Sequence, residues 1–315
     1  MAIKTTFFRQ DFNQILAKYD LGEWLHAESI TQGTVQTNYL LHTTHGKYVF
    51  RYYENRSRES ILFEHEVLSY LKTNGYPCPS PIENQNGNCV GIYDDKPFSI
   101  FEFIAGVPLV QPTEIHKQQL IQKVAELQIL GKDFHSPYQK YRWNYDPRLC
   151  SELANKEAQK IGTDDSLAKL TWLEKQLITL ALSDSHPKGI CHGDFHFSNV
   201  LFQGDRFVGL IDFDDANHTY LTFDLICLID SWAWPYQSNS LALEQARKIV
   251  QEYERFRPLS DLERHHLYDV HKLCILFDCI WFFSRGSADD FYERKKIEYL
   301  DDLGRCRYKQ ALFTL

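Results

Sequence analysis

Basic charge is in short supply in this chain. Against 42 Asp and Glu stand 34 Lys and Arg, a formal net charge of −8 over 315 residues. A protein that grips a phosphate backbone needs clustered Lys and Arg, so nucleic acid is excluded as an expected partner. The longest basic run, Arg294-Lys295-Lys296, reads as a solvated helix face. Long apolar runs are also missing. No uninterrupted apolar segment reaches the roughly 18 residues of a membrane span, and Met1-Ala2-Ile3-Lys4-Thr5-Thr6 lacks a signal-peptide h-region. The expectation is a cytoplasmic protein without a membrane partner. The eight cysteines include no Cys-x-x-Cys pair and read as reduced, mostly buried thiols. Cys191 has no evident base and reads as a packing residue. Gly-x-x-x-x-Gly-Lys-Ser/Thr is absent, which argues against a P-loop enzyme. Neither a low-complexity segment nor an internal repeat is present.

What is present is concentrated between residues 190 and 216. Ile190-Cys191-His192-Gly193-Asp194-Phe195-His196-Phe197-Ser198-Asn199-Val200-Leu201-Phe202 is followed by Gly209-Leu210-Ile211-Asp212-Phe213-Asp214-Asp215-Ala216. A His-x-Asp triplet, an Asn five positions after its Asp, and an Asp thirteen further on repeat the protein-kinase order of base, metal ligand and metal ligand. Asp194 fits the group that orients a hydroxyl and accepts its proton. Asn199 and Asp212 offer the hard oxygens that Mg²⁺ accepts. The runs 199–202 and 207–211, separated by Gln203-Gly204-Asp205-Arg206, predict a hairpin with Asn199 and Asp212 at one end. Two other readings stand beside this one. The acids are solvated at the ends of an ordinary buried hairpin, or His192, His196, Asp194 and Asp212 ligate zinc or a dinuclear hydrolase centre. The second meets an obstacle, because His-Gly-Asp-Phe-His is not His-Glu-x-x-His and Gly193 disfavours the helix that motif needs.

Elsewhere, residues 11–24 have helical spacing, and Ile30 to Phe50 alternates as a hairpin or meander. A helix is expected from about Arg58 to Lys72 with Ile61, Leu62, Phe63, Val67, Leu68 and Leu71 inward, and strands around 89–93 and 98–104. From about residue 112 helical patterns dominate, at 114–131, 166–183, 241–257 and 261–285. Residues 136–165 form the least regular stretch and suggest an insertion. The chain therefore divides into residues 1–106, rich in β-structure, and 107–315, mainly helical, an α+β protein of 43% hydrophobic residues with ample material for a core.

In the 190–216 segment the chain resembles the aminoglycoside phosphotransferase and choline kinase superfamily. Its bacterial homoserine kinases are resembled along nearly the whole chain, at Tyr19-Asp20-Leu21-Gly22-Glu23, at Gln32 to Leu41, at Gly75-Tyr76-Pro77-Cys78-Pro79-Ser80-Pro81, at Tyr253 to Arg264 and at Ile297 to Leu303. His-Gly-Asp and Ile-Asp-Phe-Asp-Asp-Ala are closer to aminoglycoside kinases and to bacterial stress-response protein kinases of the same fold. The resemblance implies a two-lobed protein-kinase-like fold, with a small β-rich N-lobe and a larger helical C-lobe. It implies Mg²⁺ and ATP as cofactors and transfer of the γ-phosphate to a small-molecule hydroxyl, homoserine before an aminoglycoside, choline-type compound or protein Ser/Thr. A nucleotide-binding pseudokinase is the reading of a different class, and oligomeric state is open.

The same resemblance implies residue roles. Gly33, Thr34, Thr37 and Asn38 lie in the turn that covers the ATP phosphates; Arg51 is the cation on the α/β-phosphates. Glu64 is its ion-pair partner, with Glu66 as competitor. Backbone groups around Glu102 and Ile104 meet adenine at the interlobe hinge, and Asp224 holds the catalytic loop's N–H groups, a helix N-cap being its alternative. An amino-acid acceptor needs a carboxylate for its ammonium and a cation for its carboxylate. Asp214 or Asp230 and Arg285 are the candidates, although each is more commonly a core or surface residue.

Overall fold

The computed structural model describes residues 4–31 and 35–314. Two compact units account for them. The first comprises Met1–Val110, His135–Arg142 and Ser198–Asp214; the second comprises Gln111–Phe134, Trp143–Phe197 and Asp215–Leu315.

In the first unit, helix α1 (Arg9–Leu16) precedes strands β1 (Trp24–Ile30), β2 (Thr37–Thr43) and β3 (Gly46–Tyr52), helix α2 (Arg58–Thr73), and strands β4 (Gly91–Tyr93) and β5 (Lys96–Glu102). The five strands make one antiparallel sheet in the order β1-β2-β3-β5-β4. Alternation in β2 buries Thr37, Tyr39, Leu41 and Thr43 and leaves Asn38, Leu40 and His42 half-buried, the two faces of a pleated strand. An aromatic core covers the inner side, with Phe7 5.0 Å from both Phe50 and Tyr52, ring centre to ring centre. Helix α1 ends at Leu16, short of the expected 24. A turn follows, in which Tyr19 N–H donates to Leu16 O at 2.9 Å. Tyr19 and Leu21 still reach the core, so apolar positions of a turn extended the helical pattern. Ser57 caps α2 by accepting from Ser60 N–H, and of its expected inward residues Leu62 alone is only half-buried.

The short strand β6 (Val107–Pro108) pairs with β8 (Val200–Gln203), which pairs with β9 (Arg206–Leu210). Gly204 turns this hairpin at φ 56°, and Ile211 N–H donates to Asn199 O at 2.8 Å. The hairpin thus joins the backbones of Asn199 and Ile211, as its turn residues suggest.

The second unit is mainly helical. It holds α3 (Glu114–Gly131), α4 (Pro147–Ile161), α5 (Asp164–Ile178), α6 (Phe223–Ala233), α7 (Leu243–Glu254), α8 (Asp261–Trp281) and α9 (Tyr292–Phe313, kinked at Gly304). Strands β7 (Lys188–Cys191) and β10 (Asn217–Tyr220) pair antiparallel. The irregular stretch expected at 136–165 is corrected by α4. Asp146 accepts from Leu149 N–H at 2.7 Å, Pro147 opens the helix and Gly162 closes it at φ 69°, so two apparent breakers are its end signals. No helix among the described residues is long and apolar enough to cross a membrane.

Candidate active site

In the first unit, Arg51 gathers the acidic groups. It stands on β3 opposite Asn38 of β2, and its Nε donates to Asn38 Oδ1 at 3.1 Å. Nη1 donates to Glu64 Oε1 at 3.2 Å and Nη2 to Asp212 Oδ1 at 2.9 Å. Glu64, buried on α2, accepts from Tyr53 OH at 2.9 Å with its other oxygen. Glu64 is therefore the acid on Arg51, and Glu66 is half-buried on the same helix. Burial opposes a charge on Arg51, but Asp212 and Glu64 outweigh it and raise the guanidinium above its ordinary value. Three of its five N–H groups are engaged, which leaves two for a further anion.

Asp212 follows β9 with φ 65°, a left-handed conformation that costs a non-glycine residue energy and recurs at functional sites. Its side chain is 41% exposed. Asn199 is buried at the end of the 3₁₀ turn Phe197–Asn199. An amide oxygen and a partly exposed carboxylate on one hairpin end fit a hard cation such as Mg²⁺.

Thr37 and Asn38 lie on β2. Thr37 Oγ1 donates to Glu54 at 2.7 Å and accepts from Thr5 N–H at 3.1 Å, while Asn38 orients Arg51. Gly33 and Thr34 lie outside the described residues. The Glu102 side chain pairs with Lys72 at 2.9 Å and its N–H donates to Ser80 O at 3.0 Å. Ile104 packs over Gly209, where an added Cβ would come within 2.7 Å of its Cδ1.

Asp214 is held from both sides. Arg56 donates to each of its oxygens at 3.0 Å, and Gln36 Nε2 donates to Oδ2 at 3.0 Å. Burial opposes its charge, yet Arg56 outweighs burial and keeps the carboxyl below its ordinary value. Arg142 donates to the Asp214 carbonyl and to Ser60 Oγ, the latter at 2.9 Å. Nothing in the local sequence marks Gln36, Arg56 or Arg142 for these tasks.

The second unit carries the His-Gly-Asp loop after β7. Asp224, wholly buried in the first turn of α6, accepts from His192 N–H at 2.7 Å and from Gly193 N–H at 2.9 Å. It is not the N-cap, which is Thr222. Burial raises the Asp224 carboxyl, against the pull of His192 and the two amides. Gly193 has φ 80°, and a Cβ there would lie 2.7 Å from Asp215 O, so this turn requires glycine. Asp194 N–H donates to His192 Nδ1 at 3.3 Å. His192 is buried and Asp194 exposed, so the loop turns its carboxylate outward. Cys191 is buried against Tyr220 O, a packing position.

Asp230 accepts from Lys296 Nζ at 2.8 and 2.7 Å and lies 3.6 Å from His271 Nε2. Lys296 is buried, which corrects the reading of the basic run as wholly solvated. Arg285 is exposed, its guanidinium 4.2 Å from the Phe282 ring centre. Sequence reasoning missed Asp278 on α8, whose carboxyl is pushed up to about 7, first by burial and then by Asp230. A lone Asp amid Leu276-Phe277 and Cys279-Ile280 was the only available signal.

Residues 26–259 match the phosphotransferase enzyme family, and the chain belongs to it. A homoserine kinase of Nitrobacter winogradskyi is 31% identical over 268 residues, 84% of this chain and 80% of that protein. One from Parvibaculum lavamentivorans is 31% identical over 295 residues, 92% of this chain and 86% of its own length. Among solved structures, an amicoumacin kinase in complex with AMP-PNP, Ca²⁺ and Ami superposes with a TM-score of 0.66 at 16% identity, covering 95% of each chain. A spectinomycin phosphotransferase with ADP and spectinomycin gives 0.64 at 14% identity, covering 98% and 99%. These neighbours show a shared kinase-like α+β fold.

Proposed function

We propose that this protein transfers the γ-phosphoryl group of ATP to the hydroxyl of a small molecule, homoserine, with Mg²⁺ held by Asn199 and Asp212. The observation that carries the acceptor is the 31% identity to a homoserine kinase over 92% of the chain. The geometry supports the reaction type, because a buried acid, Asp224, fixes the loop that exposes Asp194.

Asp194 accepts the proton of the acceptor hydroxyl as its oxygen bonds to the γ-phosphorus, and the bond to the β–γ bridging oxygen breaks to release ADP. The two remaining N–H groups of Arg51 engage the α/β-phosphates, while Glu64 and Asp212 hold the guanidinium in place. A bound Mg²⁺ would neutralise phosphate charge. Thr37 and Asn38 border the phosphates; the backbone near Glu102 and Ile104 meets adenine. Asp230, salt-bridged to Lys296, and Asp214, clamped by Arg56, serve this reading as structural acids rather than as ligands of an ammonium. Arg285 is left as the candidate for the acceptor carboxylate.

The test is ADP release by purified protein with Mg-ATP against L-homoserine, choline, several aminoglycosides and a generic protein substrate. Turnover with homoserine alone supports the reading; turnover with an aminoglycoside alone replaces the acceptor and retains the chemistry. Mg-ATP binding without turnover on any acceptor would favour a pseudokinase.

A further inference from the structure

On the face of the β1–β2 pair opposite the aromatic core, the face of β2 that also carries Asn38, three metal-binding side chains converge, none of them among the proposed nucleotide residues. His26 and His42 are direct cross-strand partners, just past a register irregularity between Trp24 and His26. Such a bulge re-aims side chains. Their rings stack with centres 3.9 Å apart and planes 17° apart. Glu28, two residues along β1 and so on the same face, brings Oε1 to 2.9 Å from His42 Nε2 and 3.4 Å from His26 Nε2. The three ligand atoms all lie within 4.8 Å of one another.

A tetrahedral Zn²⁺ with bonds near 2.0–2.1 Å separates its ligand atoms by about 3.3 Å, close to the spacings from Glu28. Two imidazoles and one carboxylate suit zinc-like transition ions and not Mg²⁺ or Ca²⁺. The facing cation, Lys47 opposite His42 on β3, has its Nζ 5.7 Å from the Phe103 ring centre. His26 and Glu28 are more than half exposed, whereas His42 is 15% exposed with its Nε2 buried beneath them, so an ion enters from the His26 and Glu28 side.

We propose that His26, Glu28 and His42 form a Zn²⁺ site, with water completing the coordination, that staples β1 to β2. It stands independently of the phosphotransfer reading, since no proposed nucleotide or acceptor residue takes part.

The test is calorimetric titration of Zn²⁺ into the full-length, metal-free, reduced protein at pH 7.5, repeated with His42→Ala, Glu28→Gln and Cys306→Ser. The expected result is one Zn²⁺ per chain in the parent and in Cys306→Ser, which removes the exposed thiol. Affinity falls at least about tenfold in the other two, by analogy with the loss on removing even a supporting group. Zinc also raises the parent's Tm by mass action but not that of His42→Ala, and circular dichroism without metal verifies that both are folded. No binding by the parent, or undiminished affinity in His42→Ala and Glu28→Gln, would overturn the site. Loss of binding in Cys306→Ser would assign the ion to a thiol instead and overturn it equally.

Discussion

Asp224 accepts the backbone N–H of His192 at 2.7 Å, an interaction between a helix and a loop that leaves the neighbouring Asp194 exposed. The second oxygen takes Gly193 N–H at 2.9 Å. Asp224→Asn keeps the size and one acceptor oxygen, and turns an N–H₂ toward one of the two amides. One buried donor is then unpaired, at a cost of about 1–3 kcal/mol. We expect a lower urea midpoint and a kcat reduced up to about 100-fold, the scale of a small misplacement of a catalytic group, with KM for ATP little changed. An unchanged kcat would remove the positioning role.

Asp194→Ala deletes the proposed base from an exposed loop position. Turnover should fall by roughly 10²–10⁴, while Mg-ATP binding, measured by calorimetry, stays near the parent value. Asp212→Ala should instead weaken both, because its carboxylate accepts from Arg51 and is the proposed ligand of the cation. A normal Mg²⁺ titration in Asp212→Ala would contradict that assignment.

Glu64→Gln breaks a buried ion pair with Arg51 (side chains 2% and 11% exposed). Loss of one partner of such a pair costs about 3–5 kcal/mol, reduced here because Asp212 still faces the guanidinium. A lower Tm and a raised KM for ATP are expected, whereas Glu66→Gln should alter neither. Equal effects in the two variants would mean that the pair is unimportant.

Local patterns made much of this legible. The β8–β9 hairpin was readable from two apolar runs around Gly204, and α2 from its inward spacing. Helix α4 was not, because Pro147 and Gly162 look like breakers until the Asp146 cap shows them to be boundary residues. The clamp on Asp214 was illegible for another reason. Arg56 and Gln36 stand more than 150 residues away in sequence, and no spacing rule connects them. The pairing of Lys296 with Asp230 likewise required tertiary structure, since a basic run has no sign of which of its members turns inward.

His65 supplies a pH dependence. Its ring is buried with neither nitrogen hydrogen-bonded, and burial first, then Arg51, pushes its pKa down from 6.5 to about 3. The folded state therefore keeps it neutral. Below pH 6.5 the unfolded chain gains a proton that the folded chain refuses, so stability falls as pH drops from 6.5 toward 3. Between pH 7 and pH 4 the loss is on the order of 3 kcal/mol. His65→Phe should flatten that part of the profile in urea melts at several pH values. The slope from His186, lowered to about 4 chiefly by burial, should remain. A variant as pH-sensitive as the parent would exclude His65 as the cause.

The most direct test of γ-phosphoryl transfer to an alcohol is ³¹P NMR of the parent and Asp194→Ala with Mg-ATP and L-homoserine. The account predicts a phosphomonoester resonance growing in step with ADP in the parent, and almost none in Asp194→Ala. Release of inorganic phosphate without an ester, or an ester formed equally well by Asp194→Ala, would contradict it.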